Sequence, residues 1–179
     1  MTRVAICDYG AGNVRSVAVA FRRLGAELID DPAAADLTVL PGVGSAASAM
    51  AGLRERGLDE TLRERFAAGR PILGICLGLQ LALEETEEDG GVGGLGLLPG
   101  RAVRLREGRV PRIGWAPVEP GRDTFYFAHS YAAETPAATA HSEGVAAAAA
   151  AGSFLGVQFH PEKSGAAGAR FLQACLSRA

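Results

Sequence analysis

Pro71-Ile72-Leu73-Gly74-Ile75-Cys76-Leu77-Gly78-Leu79-Gln80 decides how the rest of the chain reads. Ile72 to Ile75 is short and wholly apolar, the pattern of a strand buried on both faces. It runs through Gly-x-Cys-x-Gly into Leu77–Leu83, which has helical spacing. Strand, sharp turn and helix are the setting of a nucleophile elbow. There the central side chain is thrust out at the carboxyl edge of a sheet. Glycines two before and two after Cys76 let strand and helix approach closely. A thiol at the start of a helix also meets unpaired N–H groups, which favour its thiolate. Cys76 is the expected nucleophile, whereas Cys7 and Cys175 carry no such context and are expected in the core.

Working outward, the same strand–helix alternation recurs on the amino-terminal side. Arg3–Cys7 reads as a strand. Asn13 stands where a helix would begin, and Val14, Val17, Ala18, Phe21 and Leu24 recur at helical spacing until Gly25. Ala26–Ile29 and Leu37–Leu40 read as strands, the latter stopped by Pro41-Gly42-Val43-Gly44. Leu58–Ala68 is a charged amphipathic helix ended by Gly69 and Pro71. On the carboxyl side Gly90–Gly100 reads as loop. Ala102–Leu105, Thr124–Ala128, Ala137–Ala140 and Phe154–Phe159 read as antiparallel additions to the same sheet. Gly165–Ser177 is a final helix. Ala146–Ala151 pits alanine's helix propensity against a length too short for a lone helix, and reads as a hairpin arm before Phe154. The expected fold is therefore α/β: three layers around a doubly wound, mostly parallel sheet with antiparallel additions in the carboxyl-terminal half, in one domain over residues 1–179.

Composition narrows the function. The 179 residues include 18 Lys and Arg against 20 Asp and Glu, a formal charge of −2 without segregation. Nucleic-acid binding, which calls for a basic stripe, is not expected. No stretch has the roughly 20 apolar residues of a membrane span. Asp8 breaks the short apolar start, so no signal peptide is expected. Three widely spaced cysteines give no disulfide framework. A soluble cytoplasmic protein is expected, without metal or cofactor.

A thiol nucleophile needs a base. Of the three histidines, His129, His141 and His160, the candidate is His160, which ends an apolar strand with Glu162 two residues on, in Gly156-Val157-Gln158-Phe159-His160-Pro161-Glu162-Lys163-Ser164. Pro161 keeps residue 160 extended, so Glu162 can reach the imidazole and hold it, the third role of a triad. Two oxyanion donors are expected: the N–H of Leu77, just after the nucleophile, and a backbone N–H of Val43, between two glycines that let its peptide turn inward.

These motifs together resemble the class I (triad) glutamine amidotransferases. Among them the chain is most similar to the glutaminase subunits of imidazole glycerol phosphate synthase. The resemblance rests on Gly-Ile-Cys-Leu-Gly-Leu-Gln with His160-Pro161-Glu162 downstream. It extends through Asp8 to Ser16, Pro41 to Gly44, Gly94 to Gly100, Ile113-Gly114-Trp115 and His129-Ser130-Tyr131. It implies that Cys76 attacks the side-chain amide of L-glutamine, that His160 moves the proton and that Glu162 holds His160. It implies ammonia channelled to a (β/α)8-barrel cyclase subunit in a heterodimer. There it would form imidazole glycerol phosphate and an aminoimidazole carboxamide ribonucleotide for histidine biosynthesis. By the same resemblance Gly42, Gly44, Gln80, Ser130 and Tyr131 contact glutamine, with Glu84 a further candidate, and Asn13, Trp115 and Lys163 face the partner. The chain departs from the family at Ala116, commonly Asn, which puts a hydrogen bond near the partner in question. It also lacks a Tyr-Gly pair around Thr139–Glu143.

Rival readings are an amidotransferase feeding another synthase, a stand-alone γ-glutamyl hydrolase, and an inactive binding module. Pro41-Gly42-Val43-Gly44 differs from the corresponding loops of the first. Partner dependence separates the second. The complete Cys76, His160 and Glu162 set argues against the third.

Overall fold

A computed structural model of the chain describes residues 1–10 and 12–179. Ala11, within the Asp8–Ser16 motif, lies outside the described residues. The main sheet has seven strands. Five run parallel in the order β13 (Phe154–Val157), β4 (Ile72–Ile75), β3 (Leu37–Leu40), β1 (Arg3–Ile6) and β2 (Glu27–Leu28). Beyond β13, β12 (Val145–Ala151) and β11 (Ala138–Ser142) continue it antiparallel.

The apolar strands alternate their side chains between two cores. Leu73, Ile75 and Val39 face α1 (Val14–Arg23) and α5 (Gly165–Leu176), which contribute Val17, Phe21, Leu172 and Leu176. Ile72 and Leu40 face the other core, with Met50 and Leu53 of α2 (Ala46–Glu55), Leu62 of α3 (Leu58–Ala67) and Leu79 of α4 (Leu77–Ala82). Each fully buried Leu, Ile or Val contributes roughly 1.5–3 kcal/mol, so the two-sided burial of β3 and β4 fixes the three layers.

The carboxyl-terminal half departs from expectation in two ways. Phe154–Val157 is parallel to β4, not antiparallel, with Leu155 opposite Leu73. This seats the segment leading to His160 beside the Cys76 strand. The strands at Arg101 and Thr124 do not join the main sheet. β7 (Arg101–Arg104) pairs with β5 (Glu85–Thr86) and β10 (Tyr131–Glu134), and β5 also pairs with β6 (Val92–Gly93) inside the expected loop. β8 (Arg112–Pro117) and β9 (Thr124–His129) form a separate two-stranded sheet. The alanine run is a hairpin arm as expected. Pairing on both sides, to β11 and β13, outweighs alanine's helix preference. Among the described residues, no helix is long and apolar enough to cross a membrane.

Candidate active site

Cys76 directly follows β4, with φ 54° and ψ −109°, and occupies the position just before α4. A non-glycine residue at such angles costs on the order of 1–3 kcal/mol and persists only where its surroundings force it. The forcing is visible on both sides. A Cβ on Gly78 would overlap the Leu40 carbonyl oxygen, and one on Gly74 would lie 2.6 Å from the Phe154 ring. The Cys76 N–H donates to Val157 O at 2.7 Å, tying the elbow to the neighbouring parallel strand.

That strand leads to His160. The His160 N–H donates to Tyr126 O at 2.8 Å. Ser164 Oγ donates to His160 O at 2.6 Å and accepts from the Tyr126 N–H at 3.0 Å. His160 is extended, and the 3-10 turn Pro161–Lys163 folds Glu162 back onto the ring. Nδ1 donates to Glu162 Oε1 at 2.8 Å, with 3% and 1% of the two side chains exposed. Burial alone would lower the imidazole's pKa. Hydrogen bonds to Cys76 and Glu162, and the charges of both, outweigh it and raise the pKa from 6.5 to about 9. The ring is thus a proton carrier between a sulfur and a carboxylate.

A cleft of about 240 Å³ opens on Cys76. Val43, Gly44, Leu77, Gln80, Ser130 and Tyr131 line it, all expected from sequence. Gly42 lies beneath instead, where a Cβ would stand 2.7 Å from both Leu77 Cβ and the Tyr9 hydroxyl. Its role is to let the loop close on the elbow. The loop is pinned before Val43 by Tyr9 Oη, which donates to Pro41 O at 2.5 Å, and after it by Ser45, the N-cap of α2. Val43, 41% exposed, sits between the two anchors. Gln80 spends its amide nitrogen on Tyr131 O (2.8 Å) and Gln158 Oε1 (3.0 Å), leaving its own Oε1 for a ligand.

Glu84 is not in the cleft. Its carboxylate accepts from the Gly100 N–H at 2.7 Å and braces a turn. The carboxylate that does line the cleft is Glu88, which sequence reasoning missed. Burial raises its pKa, and the Ala46 N–H donates to it at 3.1 Å. Nothing in its local sequence marks it, because it stands in an acidic run at the start of the 3-10 turn Glu88–Gly90. Gln158 was also unassigned, although it lies inside the His160 motif. It is fully buried, and its Nε2 donates to Cys76 Sγ at 3.6 Å.

Two of the residues expected at a partner surface, Trp115 and Lys163, fall on one side. Trp115 is 58% exposed and packs edge-on to Tyr126 at 6.0 Å, and Lys163 Nζ lies 6.0 Å from the same ring. Ile113, two residues before Trp115 on β8, is 65% exposed and reaches the cleft. The alternation of β8 carries the signal that would have found it. Asn13 holds the position before α1 but makes no side-chain cap. Ala116 points the opposite way from Trp115, into the core. Ala116 therefore removes nothing from the exposed face.

A buried cysteine at a strained elbow, beside an imidazole held by a buried carboxylate at the edge of a parallel α/β sheet, defines a class of enzyme that works through a cysteine nucleophile. Residues 5–179 match the family model for Glutamine amidotransferase class-I, and the chain belongs to that family. It is 48% identical to the Imidazole glycerol phosphate synthase subunit HisH of Symbiobacterium thermophilum, over 96% of this chain and 92% of that one. It is 46% identical to the subunit of the same name from Methanothermobacter thermautotrophicus, over 92% and 93%. In fold it is similar to a crystal structure of a glutamine amidotransferase, with TM-score 0.81 at 20% identity over 98% and 99% of the two chains. It is likewise similar to PurLQS from Thermotoga maritima, with TM-score 0.75 at 18% identity over 99% of each chain.

Proposed function

We propose that this chain is the glutaminase subunit of an imidazole glycerol phosphate synthase. It hydrolyses L-glutamine to L-glutamate and ammonia and delivers the ammonia to a cyclase subunit. One observation carries the chemistry: Cys76 stands strained at its elbow and opens on the cleft, and the segment leaving the neighbouring parallel strand brings in His160, which Glu162 holds at 2.8 Å. The identity of 40–48% to HisH subunits over nearly the full chain carries the choice of synthase.

The steps follow from the side chains. The Cys76 thiolate adds to the amide carbon of glutamine, and the carbonyl electrons move onto oxygen. The N–H of Leu77 and, with its peptide turned inward, that of Val43 stabilise that charge. The C–N bond breaks as His160 gives its proton to the departing nitrogen, which leaves as ammonia. A water then loses a proton to His160 and adds to the thioester, the C–S bond breaks, and glutamate and the thiolate remain. Glu88, the carboxylate lining the cleft, suits the α-ammonium of glutamine. Ser130 and Tyr131 suit its α-carboxylate, and the Oε1 of Gln80 is free for a substrate donor.

Ammonia escaping to water at neutral pH is protonated and ceases to be a nucleophile. A sealed path into a (β/α)8-barrel partner avoids this. The exposed Ile113 and Trp115, continuous with the cleft mouth through Ile113 and Val43, favour docking of that partner here, with Lys163 beside Trp115 on the Tyr126 ring. Both cores share the one seven-stranded sheet, which supports a single amidotransferase domain. Three free cysteines suit the reducing cytoplasm. The test is glutamate release from glutamine by the chain alone and with a cyclase barrel and its ribonucleotide ligand. Release rising severalfold or more on adding both supports the partner-dependent reading. Full release by the chain alone favours a stand-alone hydrolase.

A further inference from the structure

We propose that Gln158 is a further catalytic residue, an amide donor fixed against the Cys76 sulfur, and that Gln80 is the positioning residue that orients it. The proposal rests on Cys76 being the nucleophile. It concerns a contact that the motif reading left without a purpose.

The orientation of both amides follows from one carbonyl. Tyr131 O can only accept. The Gln80 atom 2.8 Å from it is therefore the amide nitrogen, not the oxygen. That same nitrogen lies 3.0 Å from a Gln158 side-chain atom, which must then be the acceptor, Oε1. The remaining Gln158 atom is Nε2, and it faces Cys76 Sγ at 3.6 Å. An amide's oxygen and nitrogen are otherwise hard to tell apart, and here the chain of partners leaves one assignment. His129 Nδ1 anchors the far end, donating to the same Tyr131 carbonyl at 2.8 Å. The relay runs from His129 through Tyr131 O, Gln80 and Gln158 to the sulfur, and joins the β9–β10 turn, α4 and the segment after β13.

The relay biases the sulfur's charge. The other neutral group near Sγ is Ala128 O, 3.8 Å away, which can only accept from a thiol S–H. An N–H donor favours the thiolate instead. It also favours the thiolate again when the thioester collapses and sulfur is the leaving group. Gln158 is fully buried, so no water takes its place as donor once the amide is removed. His160 supplies charge and moves the proton, whereas Gln158 supplies a fixed direction.

The test is the pH dependence of iodoacetamide alkylation of Cys76, read by mass spectrometry of the Cys76 peptide in the full chain. Gln158→Met keeps the volume and removes the donor. The inflection is expected to rise by about one pH unit, as loss of a hydrogen bond to a charged group implies. Gln80→Met is expected to raise it too, by less, and to lower kcat. An unmoved inflection in a folded Gln158→Met chain overturns the proposal. A Gln80→Met chain with only KM raised overturns the positioning role. Should Gln158→Met fail to fold, the wild-type chain still decides. The Gln158 side-chain amide NMR signals should shift through the same inflection as Cys76 alkylation, and pH-independent signals overturn the contact. The alkylation and NMR readings require neither glutaminase turnover nor a partner, so their failure is distinct from failure of the proposed function.

Discussion

His160 Nδ1 lies 2.8 Å from Glu162 Oε1, and both side chains are shut off from water. The short separation across Pro161 makes the carboxylate a fixture of the imidazole rather than a visiting counter-ion. The ring's pKa stands at about 9, above its ordinary 6.5. Its contribution to stability is therefore complete below about pH 6.5 and is lost as pH rises through about 9.

From this pair comes the first expectation. His160→Asn keeps a polar side chain but carries no proton at neutral pH. Alkylation of Cys76 at pH 7 should slow by on the order of tenfold or more, and glutaminase turnover by on the order of 10³-fold. Undiminished alkylation of Cys76 would rule His160 out as its proton partner.

Gly78 tests the elbow by size alone. A methyl group there meets the backbone of Leu40 and has nowhere to go. Gly78→Ala should cost about 3 kcal/mol in urea unfolding. Gly93→Ala has open space and ordinary backbone angles, and should stay within about 0.5 kcal/mol of wild type. Equal midpoints for the two variants would mean that the elbow is not tightly packed.

The exposed apolar edge of β8 gives a third expectation. Trp115→Ala should leave the melting temperature of the isolated chain unchanged. It should weaken binding to a cyclase barrel at least about tenfold, as measured by titration calorimetry. Unchanged affinity would move the partner surface elsewhere.

His129 gives an acid-side signature. Burial, with the charges of Arg112 and His160, pushes its pKa down to about 4, against a hydrogen bond to Tyr131 O that opposes the shift. The folded value is below the unfolded one. Stability from this group is thus present above about pH 6.5 and is lost as pH falls toward 4. Between pH 6.5 and 5 the loss is about 2 kcal/mol, or roughly 4–8 °C in melting temperature. His129→Asn should flatten that part of the curve, and an identical slope would assign the acid sensitivity to other groups.

Much of this was legible in the residues. β4 is wholly apolar between Pro71 and the elbow, and β3, apolar but for Thr38, is stopped by Pro41, so both were plain. The triad was legible because each member sits in a motif with a local geometric reason. α2 was not. Its buried face sets only Met50 and Leu53 beside Ala46, Ala49 and Gly52, and a Cβ at Gly52 would overlap the Tyr9 carbonyl oxygen. Close packing there selects small residues, which blurs the apolar stripe a helix usually shows. β8 and β10 escaped for a different reason. Their pairings, to β9 and β7, are tertiary, and β8 turns its large apolar residues, Ile113 and Trp115, outward rather than into a core. Gln158 was in view within its motif, but its partner Gln80 is 78 residues away. Spacing along a chain does not reveal a contact of that kind.

The most direct test separates the two halves of the reaction in one variant. Cys76→Ser, assembled with a cyclase barrel and supplied with the ribonucleotide substrate, is given either glutamine or an ammonium salt. The expected result is no product from glutamine, with ammonium-driven turnover near that of the wild-type complex. Product formed from glutamine without the thiol, or loss of the ammonium-driven reaction with it, would contradict a thioester chemistry that feeds its ammonia to a separate active site.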